Sequence, residues 1–159
     1  MNSLSIRDTR VISGRVKAFG PSDTLILEDG NSPSLDLGLF DNFGHFVKNG
    51  SGTWTITGSP GQQSARDAWD LNVTAGRLNL IGANWEIPQI TNSGTVSVGA
   101  GSVLRVKGDE RSFFANNGTL IVGIGGFVDG RFFNHGTITN LAKLRDEGFQ
   151  NRGGKPEPS

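Results

Sequence analysis

The amino-acid sequence predicts an all-β fold, a single-domain parallel β-helix with an irregular N-terminal cap, and three observations predict it. Glycines preceded two positions earlier by Asn recur at a nearly fixed interval. The segment after each glycine alternates apolar and polar residues, the mark of a strand with one buried face. Helical spacing is missing, and so are the Ala-, Leu-, Glu- and Lys-rich runs that helices favour.

The glycines Gly94, Gly118, Gly136 and Gly153 stand 24, 18 and 17 residues apart. Four residues before them come Ile90, Phe114, Phe132 and Phe149, and two before come Asn92, Asn116, Asn134 and Asn151. Stacking of successive coils at ~4.8 Å explains each column. Phe114, Phe132 and Phe149 are expected to pile as rings inside the coil. The Asn side chains are expected to bond from coil to coil as a ladder at a corner, and the glycines to give the close approach or positive φ that a corner needs. Trp85 and Phe127, each nine residues after its glycine, read as a further column.

Element by element, residues 1–50 do not join the glycine register, although "TLILEDG" (24–30) and "LDLGLF" (35–40) read as strands. They are expected to form the cap or docking segment that covers an open coil end. Residues 51–153 are expected to hold the coils and 154–159 a flexible tail. Surplus residues in the longer coils fall at 58–69 and 106–112, as loops on one face.

Composition sets limits. With 15 basic and 15 acidic residues the charge balances, which argues against nucleic acid as a partner. The basic N-terminal residues Arg7, Arg10, Arg15 and Lys17 remain a candidate docking surface. Cysteine is absent, which removes disulfides, thiolate metal sites and a Cys nucleophile. No apolar run approaches the ~18 residues of a membrane helix, and the first twenty residues do not read as a signal peptide.

The stretches "NSGTVSVGAGSVLRV", "NNGTLIVGIGGFVDG" and "NHGTITNLAKLRDEG" resemble the β-helical passengers of bacterial autotransporters and haemagglutinin-type adhesins. Short β-helical pieces of phage spikes and capsid-surface proteins are similar in style. The resemblance covers residues 52–153 and implies a structural or adhesive role. Without an export signal or a C-terminal barrel segment, the expectation is a non-enzymatic virion surface protein, a capsid decoration or spike component. An adhesin passenger binding a host surface or glycan through loops 58–69 and 106–112 is the alternative. A polysaccharide-degrading enzyme is third, because the sequence holds no evident carboxylate cluster.

The search for chemistry yields no catalytic residue, metal ligand or cofactor. Asp129 and Asp146 are expected to stack on consecutive coils, but "DG" and "DEG" are turn sequences. Asp67 and Asp70 in "ARDAWD" lie beside Trp69, and His45 and His135 have no His partner at ligand spacing. Phe113 and Phe133, next to the column rings, are expected to point outward and form an interface, with a homotrimer as the favoured assembly.

Overall fold

The computed structural model describes residues 1–7, 12–59, 70–107, 109–140, 143–146, 150–151 and 156–157. It is a parallel β-solenoid of about 6 turns, its regular secondary structure nearly all β. Each complete turn visits three sheets in the same order. An eight-stranded sheet takes Ser3–Ile6, Thr24–Leu27, His45–Lys48, Asp70–Val73, Gln89–Asn92, Phe113–Asn116, Phe132–Asn134 and Gln150–Asn151. A seven-stranded sheet takes Asn31–Asp36, Thr53–Thr57, Arg77–Leu80, Thr95–Val98, Thr119–Val122, Thr137–Asn140 and Pro156–Glu157. The third side is a four-stranded sheet of Asn84–Ile87, Val103–Val106, Phe127–Gly130 and Lys143–Asp146, with Val16–Lys17 pairing Phe40–Asp41 nearer the N-terminus. Every strand pairing is parallel, the arrangement that needs a crossover, here one circuit of the coil.

Strand alternation decides what lies inside. In the eight-stranded sheet Leu4, Leu25, Phe46, Leu71, Ile90, Phe114 and Phe132 share one file facing the core. Phe114 and Phe132 are fully buried, with ring centroids 5.2 Å apart and planes tilted by 33°. Trp54, Leu78, Val96, Leu120 and Ile138 make the matching file of the seven-stranded sheet. These residues form one continuous core.

The coil reaches further back than the glycine series indicates. Residues expected to stand outside the register supply Ser3–Ile6, Thr24–Leu27, Asn31–Asp36 and His45–Lys48, which pair in parallel with the coils above them. The reason is chemical: these turns close with Asp29-Gly30 and Asn49-Gly50 in place of the Asn-x-Gly corner, so stacking persists while the motif does not. A cap remains in the residues that cross the first coil, where Ile12 and Val16 pack on the core and Ala18 is buried. At the other end Pro156–Glu157 pairs with Ile138–Thr139, past the expected boundary at 153.

The Trp85–Phe127 column does not form. Trp85 stands in register with Leu104 and Val128 inside the coil, whereas Phe127 pairs with Val103 and faces outward. The turn 81–83 has one residue fewer than the turn 123–126, and a single residue inverts the parity of the strand that follows. Asp129 and Asp146 likewise do not stack: Asp129 pairs with Arg145, and Asp146 with Gly130. That step is sixteen residues long, not the seventeen assumed from the glycines.

Candidate functional site

The most ordered polar feature is internal. One interior file runs Ile6, Leu27, Lys48, Val73, Asn92, Asn116 and Asn134. Asn92, Asn116 and Asn134 are completely buried. Asn92 Nδ2 donates to Asn116 Oδ1 at 2.8 Å and to the Thr119 carbonyl at 2.9 Å. Asn116 Nδ2 repeats the pattern on Asn134 Oδ1 at 2.7 Å and the Thr137 carbonyl at 3.0 Å. Each amide therefore ties its own coil to the next one. Asn92 Oδ1 has no donor, because the coil before it carries Val73 in the same file. Asn151 continues the file in its backbone register, while Phe149 and Gly153 lie outside the described residues.

Gly94, Gly118 and Gly136 occupy the adjoining corner. They are needed for proximity: a β-carbon on Gly118 would overlap the Gly94 carbonyl oxygen, and one on Gly136 the Gly118 carbonyl oxygen. Positive φ is required at a different corner, in the column Gly82, Gly101 and Gly125, which the sequence reading missed because no Asn marks it.

Lys48 is the unexpected member of the ladder file. Its side chain is fully buried, and Nζ donates to the carbonyls of Asn49 at 2.7 Å, Gly50 at 2.8 Å and Ala75 at 3.3 Å. Burial pushes its pKa down, while Asp29 pulls it the other way. The lysine thus does for an early corner what the asparagines do for later ones.

On the outside, the three sheets carry different chemistry. The four-stranded sheet has a file of alternating charge, Glu86, Arg105 and Asp129. Arg105 reaches Glu86 at 3.1 Å and Asp129 at 3.3 Å, and Lys107 reaches Glu86 at 3.1 Å. Hydrogen bonds from Lys107 and then Arg105 hold the Glu86 carboxyl below its usual value. The seven-stranded sheet shows mostly hydroxyls, with Thr53, Thr95, Thr119 and Thr137 in one file interrupted by Arg77.

The eight-stranded sheet carries the outward residues of greatest interest. Phe113 and Phe133 are half-buried and meet edge to face at 6.0 Å. The expectation of two outward aromatics on neighbouring coils matches this placement. Asp70, Gln89 and Phe113 follow one another in register, and His45 precedes Asp70. His45 Nδ1 lies 2.9 Å from Asp70 Oδ2, a pairing across coils that 25 residues of sequence separation concealed. His135 is exposed at its corner.

The basic N-terminal group is dispersed rather than pooled. Arg7 pairs with Glu28, and Arg15 forms a two-pronged contact with Asp41 at 3.0 Å on each side. Lys17 is exposed on its short strand, and Arg10 lies outside the described residues. Asp23, whose carboxyl accepts from the backbone N–H groups of Asn2, Phe19 and Gly20, locks the turn beside them. Among the described residues no group of three His, Cys, Asp or Glu side chains is placed to hold a metal ion. No described helix is long and apolar enough to cross a membrane. Of the expected insertion loops 58–69 and 106–112, the second begins one residue late, because Val106 belongs to the strand Val103–Val106, and its residue 108 lies outside the described residues, as does 60–69 with Asp67 and Trp69.

The fold and these files define a parallel β-solenoid with an internal amide ladder. No protein-family model matches the chain, and no curated protein or solved structure does.

Proposed function

We propose that this chain is a non-enzymatic structural rod displayed at the surface of a virion, as a spike or decoration component. The observation that carries the reading is the coil-to-coil amide bonding of the interior: buried amides clamp three successive turns at 2.7–2.8 Å. Such a body resists bending and proteolysis, because its backbone polar groups are already paired and each turn is held by its neighbours. The acidic side chains support the non-enzymatic part. Asp23 and Asp36 cap backbone N–H groups, Asp41 and Glu28 pair with arginines, and Glu86 and Asp129 belong to the ion file. Carboxylates committed in this way are poorly placed to share a substrate proton.

A cell-surface adhesin is the second reading, and the outward Phe113–Phe133 pair is what favours it. Gold-labelled antibody against the purified chain separates the two in electron micrographs of the producing culture. Label on released particles supports the virion reading. Label confined to the cell envelope replaces it with the adhesin.

A further inference from the structure

The sequence holds two Asn-Gly pairs, Asn49–Gly50 and Asn117–Gly118. Asn49 and Asn117 are both exposed, each just after a strand. Such a pair is reactive by its own chemistry, because glycine has no β-carbon to keep its nitrogen away from the preceding side-chain amide. The two corners treat that nitrogen differently. Gly118 N–H donates to the Asn92 carbonyl at 2.9 Å, which ties it to the coil before. Gly50 N–H turns to its own neighbour and donates to Asn49 Oδ1 at 2.8 Å. Thr74 Oγ1 lies 3.0 Å from the same Oδ1, with the Lys48 carbonyl at 3.1 Å as its other acceptor. Lys48 Nζ donates to the Asn49 carbonyl at 2.7 Å.

We infer that Asn49 is a modification site, which loses its side-chain amide to the backbone nitrogen of Gly50 in a reaction that this corner accelerates. The Gly50 N–H gives its proton to solvent and the nitrogen forms a bond to Asn49 Cγ. The Cγ–Nδ2 bond breaks, and ammonia leaves after taking a proton back from water, which closes a succinimide ring. Water then opens the ring. Attack at Cγ gives aspartate; attack at the Asn49 backbone carbonyl carbon gives isoaspartate, with the main chain running through Cγ. Nothing is oxidised or reduced, and water is the only other reactant.

Each contact serves a step. The ammonium on the Asn49 carbonyl draws charge from that peptide unit, so the N–H it shares with Gly50 loses its proton more readily. The Thr74 hydrogen settles on Oδ1 as negative charge grows there. The Gly50 contact already supplies nearness. Lys48 also directs the second step, because it polarises the carbonyl whose attack yields isoaspartate. The oxygen it holds then belongs to a carboxylate, a charged partner for an ammonium that otherwise donates to neutral carbonyls.

The test is to age the folded full chain at mildly alkaline pH, then digest it and read the peptides by mass spectrometry with fragmentation that tells isoaspartate from aspartate. Asn49 is expected to convert at least about tenfold faster than Asn117, mostly to isoaspartate, and the same chain in urea should lose the difference. Thr74→Val is expected to slow Asn49 roughly tenfold and leave Asn117 as it was. Lys48→Met should slow Asn49 too and shift its product toward aspartate. Thr74 is exposed, so its variant keeps the test sound should the lysine variant fail to fold. Equal rates at the two sites in the folded chain, a faster Asn117, a difference that survives in urea, or an Asn49 rate unmoved by Thr74→Val would each overturn the inference.

Discussion

The same substitution at two rungs of one ladder is expected to cost different amounts. Replacing Asn116 with Val takes the donor from Asn134 Oδ1 and from the Thr137 carbonyl, and removes one acceptor of Asn92 Nδ2. Each buried group deprived of its partner costs ~1–3 kcal/mol. An apolar side chain in place of a buried amide returns ~1–2 kcal/mol. With two groups so deprived, Asn116→Val should therefore destabilise by about 1–4 kcal/mol. Asn92→Val also strips two acceptors, Asn116 Oδ1 and the Thr119 carbonyl, but it deletes an Oδ1 that already lacks a donor. Relief of that penalty makes it cheaper by ~1–3 kcal/mol. Urea unfolding followed by circular dichroism measures both, and thermal scans should separate them by roughly 2–4 °C per kcal/mol. Equal losses, or a larger loss at Asn92, would refute the argument that position within the ladder sets the cost.

Two further outcomes follow from the same file. Val73→Asn places an amide between the Lys48 ammonium and the unpartnered Asn92 Oδ1, so it should cost several kcal/mol less than Val98→Asn, whose file neighbours are Leu80 and Val122. Comparative urea midpoints check it, and equal costs would count against an extendable ladder. Lys48 gives a pH dependence whose sign is fixed by its lowered pKa. An unfolded lysine keeps its proton up to ~10.4, the folded one releases it earlier, and between those values the unfolded state binds more protons. Stability should thus rise with pH through that window and be penalised uniformly below it. Lys48→Met should remove the rise, read as the difference between wild-type and variant unfolding free energies at each pH. A difference that stays flat would show that burial does not shift the lysine.

The ladder and the stack were legible in the sequence because they depend on identity and interval, and both survive translation into strands. "SFFANNGTL" and "RFFNHGTI" state which residues recur; alternation then states which way they face. The failures lie in the turns. A turn one residue shorter leaves the glycine interval plausible but inverts parity, which put Trp85 inside and Phe127 outside, and a coil step of sixteen residues where the glycines imply seventeen set Asp129 in register with Arg145. The first coils escaped notice because they stack without the Asn-x-Gly mark, so Lys48 could not be recognised as a ladder member. The His45–Asp70 pair required the register itself, since nothing in "FGHFVK" points to a residue 25 positions on.

A coil of this kind divides its labour by parity. An inward residue is answerable to the residues one turn before and one turn after, so the interior converges on like beside like: Phe on Phe, Asn on Asn. An outward residue meets solvent, and its file is free to vary. Here the three outer files have diverged into paired charges, hydroxyls, and amides with aromatics, on a single backbone. Stacking gives no reason for Gln89 and Asn72 to lie exposed beside two phenyl rings when threonines serve the adjacent sheet. The face whose composition stability does not require is the one on which recognition should be sought.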